Sequence, residues 1–363
     1  MEVLVVGAGV VGCAIAYELA ARGATVRLLD GRGPGQGATR ASAGMLAPYI
    51  EGHSEALLRL GICSLDQYDT FIARVAADAR REIEYRRTGT LEVAYTDHEA
   101  SQLAARQRAL AGAGVAASLL GADEVRRDEP ALAADVRAAL VVPQHGYVCV
   151  GAFVEALVEA GARRGVLLSE TRVERIGCVR DRAAVDTADG TMAADAVVLA
   201  AGSWSGGIPM DAPAPPVRPI RGQLVQVRLP QPVLSHVVWG PDCYLVPWQD
   251  GRVLVGATVE DVGFDERVTD DAVQGLLTSG ERLVPALGGA AFEGARAGLR
   301  PATTDELPII GASTTMRGVF YATGHYRNGV LLAPLTASLV ADLVLEGRER
   351  PELGLVRPDR FGL

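Results

Sequence analysis

Three glycines near the start of the chain, Gly7, Gly9 and Gly12, have the spacing of a pyrophosphate-binding turn. They follow the apolar run 3–6 and open a helical pattern. The first glycine then allows a tight turn, the second lets a pyrophosphate approach the backbone, and the third lets helix and strand pack closely. The helix N-terminus adds free N–H groups and partial positive charge. Asp30, which ends the next strand pattern, could accept hydrogen bonds from an adenosine ribose and would repel a 2′-phosphate. The pattern therefore indicates a dinucleotide site and disfavours NADP.

A second strand–glycine–helix junction lies close to the C-terminus, at residues 324–334. It follows the apolar run 319–322 and leads into a helical pattern at 335–345. A third strand pattern, 196–199, also runs into glycine, at Gly202. An extended flavin cofactor needs several strand ends of one sheet, whereas an NAD enzyme carries one fingerprint and then a separate catalytic domain. Three junctions favour FAD over NAD, although glycine also follows strands in α/β domains that bind no flavin.

The elements that must position these glycines alternate as in an α/β protein. Residues 2–6 and 25–29 predict buried parallel strands, joined by a helix over 10–22 in a right-handed βαβ unit. Further helical patterns lie at about 54–82 and 97–112.

The second half of the chain is richer in strand patterns. Residues 172–199 alternate like a meander with an Asp-Gly turn at 189–190, and several strands follow between 222 and 258. The proline-rich stretch 208–219 predicts a crossing between domains. The fold class is therefore α/β, with a Rossmann-type FAD-binding domain interleaved with an α+β substrate domain built on a mostly antiparallel sheet. We expect the FAD-binding domain to comprise 1–84, 147–218 and 301–363, and the substrate domain to comprise 85–146 and 219–300.

Composition and charge exclude several classes of protein. The chain has 363 residues and a formal net charge of −9. That charge disfavours nucleic-acid binding, because phosphate contacts need clustered positive charge. The sequence contains arginine but no lysine, which excludes a lysine Schiff base, a P-loop lysine and a lysine general base. No run of about 18 apolar residues occurs, so we expect no transmembrane segment.

The cysteines and histidines show no ligand pattern. The five cysteines are scattered, which disfavours a disulfide framework and a zinc site and suits the reducing cytoplasm. We expect no metal either, because the histidines outside 324–334 lack ligand spacing. These are His53, His98, His145 and His236. A strand pattern that begins at residue 2 leads us to expect no signal peptide, and the sequence leaves a monomer and a homo-oligomer both open.

Seven short segments carry a family resemblance. They are GAGVVG at 7–12, ASAGML at 41–46, AAGSW at 200–204, YLVP at 244–247, VGAT at 255–258, GLRP at 298–301 and GHYRNG at 324–329. Together they resemble the D-amino-acid oxidase superfamily, and specifically its glycine oxidase branch, the ThiO-type enzymes of thiamine biosynthesis. The segments occur in the family's order and cover nearly the whole chain, and the last is the most specific.

The resemblance implies non-covalent FAD and oxidation of glycine, an N-substituted glycine or another small amino acid. The imine formed would hydrolyse to a 2-oxo acid, and O2 would reoxidise the flavin to give hydrogen peroxide. The resemblance also implies that Arg300 holds the substrate carboxylate, with Tyr244 and Arg327 beside it. The residues implied at the FAD are Gly7, Gly9, Val10, Val11, Gly12, Asp30, Gly31, Ala38, Thr39, Ala43, Gly44, Met45, Val173, Gly202, His325, Tyr326, Asn328, Gly329, Val330 and Leu331.

The chemistry supports these roles independently. Hydride removal from Cα needs a fixed carboxylate, a neutral amine and a Cα–H aimed at the flavin. A guanidinium forks onto a carboxylate and keeps its charge, so Arg300 is a suitable anchor, although most arginines form surface salt bridges. Tyr244 can donate to the same carboxylate or pack as a strand aromatic. We nominate no acid–base residue, because the amine can bind unprotonated, and a histidine such as His325 beside the flavin loop is more often a packing residue.

Three alternatives stay open. A D-amino-acid dehydrogenase would pass electrons to a quinone; the chain lacks the lysine that some related oxidases place near the flavin, which leaves oxygen activation to arginine, histidine or the flavin environment. A tailoring-pathway oxidase would take a bulkier N-carboxymethyl amine. In any of these oxidases, Met45 and Val259 are candidates for the specificity pocket that faces the substrate's side chain. A non-catalytic flavin-binding protein is less favoured, because it would not need Arg300 and Tyr244 together.

Overall fold

Helices and strands alternate along the chain as the sequence predicts, and the computed structural model describes residues 1–51 and 54–363. The α-helices are α1 (Val10–Ala21), α2 (Pro48–Glu51), α3 (Glu55–Leu65), α4 (Tyr68–Ala79), α5 (Asp97–Gly112), α6 (Ala122–Asp128), α7 (Val150–Arg163), α8 (Asp270–Leu283) and α9 (Ala333–Glu346). The β-strands are β1 (Glu2–Val6), β2 (Thr25–Leu29), β3 (Met45–Leu46), β4 (Tyr85–Arg86), β5 (Thr90–Ala94), β6 (Ser118–Gly121), β7 (Ala138–Val142), β8 (Gly146–Val148), β9 (Leu167–Ser169), β10 (Val173–Val179), β11 (Arg182–Thr187), β12 (Gly190–Ala194), β13 (Ala196–Leu199), β14 (Arg218–Arg228), β15 (Val237–Trp239), β16 (Tyr244–Pro247), β17 (Arg252–Gly256), β18 (Ala291–Ala302), β19 (Ile309–Ala312) and β20 (Val319–Thr323).

The first sheet has the strand order β19-β20-β13-β1-β2-β9 and is parallel except for β19. Successive side chains of a strand point to opposite faces. Val3 and Val5 of β1 therefore pack with α1, α7 and α9, whereas Leu4 and Val6 pack with the three-stranded sheet β10-β11-β12. Layers on both faces of a mostly parallel sheet define the Rossmann-type arrangement, and this part of the predicted fold class is confirmed.

The second large sheet has the order β18-β14-β17-β16-β15-β5-β7-β6. Its neighbouring strands run antiparallel except for β15 and β5, so the predicted mostly antiparallel sheet is confirmed. β18 lies at one edge, where Pro301, which lacks an N–H group, is tolerated. The pairing sets Pro301 opposite Pro219 and Tyr244 opposite Gly256. This register decides which side chains of β16 and β18 face the first sheet.

One helical pattern differs from the expectation. The pattern at 54–82 forms two helices, α3 and α4, which are separated at Asp66 and Gln67. The carbonyl of Leu65 accepts a hydrogen bond from the Arg87 guanidinium at 2.7 Å. In a continuing helix this carbonyl would accept from the backbone N–H four residues further along the chain. A side chain distant in sequence therefore ends α3, which periodicity alone could not predict.

The chain passes repeatedly between the two large sheets. Strands of the first sheet come from 2–29, 167–199 and 309–323, and strands of the second come from 90–142 and 218–302. The small sheet β3-β8-β4 joins the two parts. The domain bounds given above stay a prediction. Each helix in the described ranges is too short or too polar to cross a lipid bilayer.

Candidate active site

A cavity of about 1020 Å³ lies between the carboxyl ends of the parallel strands and the eight-stranded sheet. In an open α/β sheet, the carboxyl ends of the strands form the usual ligand crevice. Strands β1, β2, β13 and β20 end at the wall of this cavity. The residues that follow them and line it include Gly7, Asp30, Ala200 and His325. At its other end the cavity reaches Arg300 of the second sheet, so both predicted halves of the site share one space.

Backbone groups and one carboxylate build the end of the cavity next to α1. The Asp30 carboxylate accepts hydrogen bonds from the Ala8 and Arg32 backbone N–H groups, both at 2.7 Å. The Val10 N–H donates to Thr39 Oγ1 at 3.1 Å. These bonds fix the Asp30 carboxylate at the end of β2, where its other lone pairs can accept hydrogen bonds from ribose hydroxyls.

Glycines along this wall expose the backbone and so leave room for an extended dinucleotide. Gly7 has φ +105°, and a Cβ there would lie 2.5 Å from the Ala200 carbonyl oxygen. Gly44 has φ +76°, and a Cβ there would lie 2.0 Å from the Val148 carbonyl oxygen. At Gly9 a Cβ would meet only one side-chain hydroxyl. No acidic residue occupies the first turn of α1, so nothing there competes with a pyrophosphate for the helix N–H groups.

The segment after β20 ties the cavity wall to β18 and α9. The Tyr326 N–H donates to the Pro301 carbonyl at 2.8 Å, and His325 Nε2 lies 3.0 Å from Thr336 Oγ1. Burial lowers the pKa of His325 to about 3, so the imidazole stays neutral at physiological pH. The hydrogen bond and the neutral ring favour a packing role for His325 over proton transfer.

Arg300 presents a guanidinium without a carboxylate partner. Its side chain extends over Gly222, where a Cβ would lie 2.1 Å from Nη2. Nη1 donates to the Thr258 carbonyl at 2.9 Å. In residues 1–51 and 54–363 no acidic side chain pairs with it, and burial lowers its pKa. A largely desolvated cation of this kind provides a strong binding site for an anion.

Tyr244 lies beside this cation. Its phenol covers Gly256, where a Cβ would lie 2.5 Å from the hydroxyl oxygen. The ring also contacts Trp239, with centroids 5.3 Å apart. Burial raises the pKa of Tyr244 to about 12, so the hydroxyl keeps its proton and can donate a hydrogen bond. Arg300 and Tyr244 together offer the donors that a carboxylate needs.

Glu51 and Arg327 complete the polar wall at this end. The Arg327 guanidinium lies 5.2 Å from the ring centroid of Tyr326. Burial raises the pKa of the Glu51 carboxyl, and the charges of Arg327 and Arg300 oppose that rise. This end of the cavity therefore combines two cations with one carboxylate whose charged form is disfavoured by burial.

Most of the predicted site residues come together in this cavity. Those that line it are Gly7, Gly9, Val10, Val11, Asp30, Gly31, Ala38, Thr39, Ala43, Gly44, Met45, Val173, Gly202, Tyr244, Arg300, His325, Tyr326, Arg327, Gly329 and Val330. Gly12, Asn328 and Leu331 lie behind the wall. A Cβ at Gly12 would be 1.8 Å from the Gly7 carbonyl oxygen, so Gly12 lets α1 pack on β1. Asn328 binds the Leu332 N–H through its carbonyl, and the Leu331 side chain packs in the helical core.

Sequence reasoning missed several lining residues, of which Glu51 is the most polar at the Arg300 end. Trp239 and Phe264 also line the cavity, as does Val259, which the sequence suggested for the specificity pocket. One signal could have found Glu51: it is the first acidic residue after Asp30 and closely follows the ASAGML segment. Nothing in the local sequence marks Trp239 or Phe264, because the register of the second sheet and the loop before α8 place them.

Metal-binding clusters are absent from the described ranges. No group of three histidine, cysteine or acidic side chains there could hold an ion. His145 instead bonds Thr90, and His236 bonds Glu129. His98 is exposed on α5, whereas His53 lies outside the described residues.

Known sequences that resemble this chain include a family of FAD-dependent oxidoreductases and several glycine oxidases. The sequence model of the family described as FAD dependent oxidoreductase matches residues 2–343. A glycine oxidase of Geobacillus kaustophilus is 37% identical over 94% of this chain and 92% of its own length. A glycine oxidase of Pseudomonas putida is 33% identical over 94% of both chains. The bifunctional protein ThiO/ThiG of Synechocystis is 35% identical over 99% of this chain, which spans 54% of that relative.

Solved structures that resemble this chain include a glycine oxidase and an iminodiacetate oxidase. The glycine oxidase of Geobacillus kaustophilus superposes with a TM-score of 0.91 at 36% identity, covering 96% of this chain and 95% of that chain. The iminodiacetate oxidase of Chelativorans superposes with a TM-score of 0.91 at 29% identity, covering 98% of each chain. Both likenesses extend over nearly the whole chain.

Proposed function

We propose that this chain, which belongs to the family of FAD-dependent oxidoreductases, oxidises glycine or a small N-substituted glycine at its α-carbon. The observation that carries the proposal is the Arg300 guanidinium, which has no acidic partner within residues 1–51 and 54–363 and faces the end of the cavity opposite the α1 glycines. Similarity to glycine oxidases and to an iminodiacetate oxidase supports the same substrate class. The imine product then hydrolyses to a 2-oxo acid.

The residues along the cavity fit FAD in its extended form. The N-terminus of α1 would hold the pyrophosphate, and Asp30 would hold the adenosine ribose. The flat wall at 43–45 and the segment 325–330 would hold the ring end. When bound, FAD supplies the two-electron acceptor for the amine carbon, and its electrons can then pass to O2.

The substrate's carboxylate would bind Arg300 and Tyr244. The guanidinium keeps its charge at any physiological pH, and the Tyr244 hydroxyl keeps its proton, so both remain donors. Two donors from two strands fix the carboxylate and thereby the direction of the Cα–H bond. We assign Arg327 to the same end, where its charge favours the anionic substrate.

We also propose O2 as the electron acceptor, thiamine biosynthesis as the pathway and the cytoplasm as the location. The resemblance of the sequence to ThiO-type enzymes supports the first two proposals. The unpaired cysteines support the third, because a reducing compartment keeps thiols free. The sequence allows a monomer and a homo-oligomer alike, and light scattering on the purified protein would distinguish the two.

The decisive experiment is anaerobic bleaching of the purified yellow holoprotein. Glycine, sarcosine, iminodiacetate, D-alanine and D-proline are each mixed with the protein, and the flavin absorbance is followed. We expect glycine or an N-substituted glycine to bleach the flavin fastest. In air, one hydrogen peroxide per amine oxidised would support an oxidase, whereas bleaching without peroxide would favour a dehydrogenase. A flavin that no amine bleaches would overturn the proposed function.

A further inference from the structure

Glu51 brings an unpartnered carboxylate into the Arg300 end of the cavity. Within the described parts of the chain it accepts no hydrogen bond and forms no ion pair. By contrast, Arg106 binds the carboxylate of Glu92. Arg221 likewise binds the carboxylate of Glu260, which lies close to the cavity wall. Glu51 is half-buried and lines the cavity, so its carboxylate is open to a ligand there. A ligand with N–H groups is therefore the partner that suits the position of Glu51.

The short helix that carries Glu51 is held from the second sheet. The Tyr49 N–H donates to His145 Nε2 at 3.3 Å, and Arg106 donates to the Tyr49 carbonyl at 2.6 Å. The rings of Tyr49 and His145 are also stacked, with centroids 5.4 Å apart. Glu92 in turn fixes the Arg106 guanidinium. These contacts hold α2 in place, so its final residue, Glu51, faces the cavity as part of a built wall.

We infer that Glu51 accepts the ammonium proton of the bound amino acid and so provides the neutral amine that oxidation at Cα requires. The inference rests on the proposed function. An amino acid is a zwitterion at neutral pH, and one carbon carries both its ammonium and its carboxylate. With the carboxylate on Arg300, the ammonium is held at the same end of the cavity as Glu51. The N–H bond breaks, its electron pair stays on nitrogen, and the proton bonds to a carboxylate oxygen of Glu51. No electrons leave the substrate in this step.

The surrounding charges make Glu51 a better proton acceptor after the substrate binds. Burial raises the pKa of the Glu51 carboxyl, while Arg327 and Arg300 oppose the rise. A substrate carboxylate on Arg300 compensates one of these charges, so Glu51 then holds a proton more readily. Tyr244 also faces this space and keeps its own proton. The charged residues of α3, the next helix, are exposed; they are Glu55 and Arg59.

Stopped-flow flavin reduction by glycine tests the inference on the holoenzyme. The rate of reduction and the apparent Kd are measured between about pH 6 and pH 9. In the unsubstituted protein the ratio of rate to Kd should be flat across neutral pH, because the proton stays inside the complex. In Glu51→Gln only free amine in solution reacts, so the ratio should rise about tenfold per pH unit. At neutral pH it should lie about 100-fold below the unsubstituted protein.

Two further variants separate proton transfer from a structural effect. Glu51→Asp keeps a carboxylate and should keep the flat profile at a lower rate. Glu55→Gln removes an exposed carboxylate from the neighbouring helix and should behave like the unsubstituted protein. A flat profile in Glu51→Gln, with glycine still bleaching the unsubstituted flavin, would overturn this inference alone. Failure of the unsubstituted protein to bleach would instead overturn the proposed function on which it rests.

Acetate binding provides a readout that is independent of turnover. Acetate has the carboxylate of glycine but no amine, and its binding is followed by the change in flavin absorbance. In Glu51→Gln acetate should bind at least as tightly as in the unsubstituted protein, because one negative charge near Arg300 has been removed. Weaker acetate binding would mean that Glu51 shapes the anion site, and this result would also overturn the inference.

Discussion

The two ends of the cavity are built in different ways. At the end next to α1, main-chain groups form most of the wall, and Asp30 and Thr39 accept hydrogen bonds from backbone N–H groups of the first residues after β1. At the other end the polar groups are side chains from separate elements, among them Arg300 of β18, Tyr244 of β16 and Glu51 of α2. One end depends on backbone shape, whereas the other depends on the placement of charges.

The difference determines how each end tolerates change. A backbone wall loses its shape when any side chain is added to its glycines. A wall of side chains can lose one group and keep the remaining fold, because the sheet that carries it persists. Substitutions at the first end should therefore affect FAD binding and stability together, and substitutions at the second should affect substrate binding and oxidation while FAD stays bound.

The largest effect is expected for Gly7→Ala at the backbone-built end. Gly7 has φ +105°, and the new Cβ would lie 2.5 Å from the Ala200 carbonyl oxygen. Backbone strain and overlap together should lower the free energy of unfolding by about 3 kcal/mol and release FAD. Absorbance of the purified protein and urea unfolding measure both effects.

Gly23→Ala is the matched control for that substitution. Gly23 has φ +91° but open space around its Cβ position, so it imposes strain without overlap. It should lower the free energy of unfolding by about 1 kcal/mol and leave the protein yellow. A Gly7→Ala protein that is as yellow and as stable as this control would contradict the backbone-built description.

The next largest effect is expected for Arg300→Ala at the side-chain end. The substitution removes a charged hydrogen-bonding partner worth about 3 kcal/mol, so KM for glycine should rise about 100-fold. FAD should stay bound, which absorbance shows. Arg296→Ala, on the same strand but outside the cavity wall, is the control and should leave KM unchanged. Equal KM values in the two variants would remove Arg300 from the substrate site.

The same contrast explains how much of the site the sequence could predict. Gly7, Gly9, Gly12 and Asp30 lie within one βαβ unit, so their spacing alone indicates the dinucleotide end. The fold class also follows from local patterns, because strand and helix periodicities are read over short windows.

The substrate end was less predictable for a physical reason. Arg300 was assigned mainly through resemblance, since its anchor role depends on pairing between β14 and β18. Glu51 was missed because its relation to Arg300 arises only in the folded chain. The break between α3 and α4 was missed likewise, because the guanidinium that ends α3 comes from Arg87.

A third prediction concerns how acidic pH lowers the stability of the protein through His145, which supports the helix that carries Glu51. Burial lowers the pKa of His145, which holds α2, to about 3. The unfolded chain takes up a proton at this histidine below its usual pKa of about 6.5, whereas the folded chain does not until pH 3 is approached. Stability from this group is therefore complete above that usual pKa and falls by about 1.4 kcal/mol per pH unit as the pH drops.

His145→Gln should remove this contribution to the slope. The variant should be less stable than the unsubstituted protein near neutral pH, and its free energy of unfolding should depend less steeply on pH between about 4 and 6. Urea unfolding at several pH values measures both. Above about pH 7 the two proteins should run parallel, because the imidazole is neutral in both states. Parallel curves in the acid range as well would show that His145 is not buried as a neutral group.

The smallest effect is expected for Gly222→Ala, which moves the anchor without removing it. The new Cβ would lie 2.1 Å from Arg300 Nη2, so the guanidinium must shift while β14 keeps its pairing with β18. A flexible side chain yields at little cost in stability, but a displaced anchor binds the carboxylate less well. KM for glycine should rise about fivefold, or about 1 kcal/mol, with FAD retained. Gly275→Ala on α8, where a Cβ meets open space, is the control. If Gly222→Ala instead released FAD, the substrate end would resemble the α1 end in depending on backbone shape, and the contrast between the two ends would be wrong.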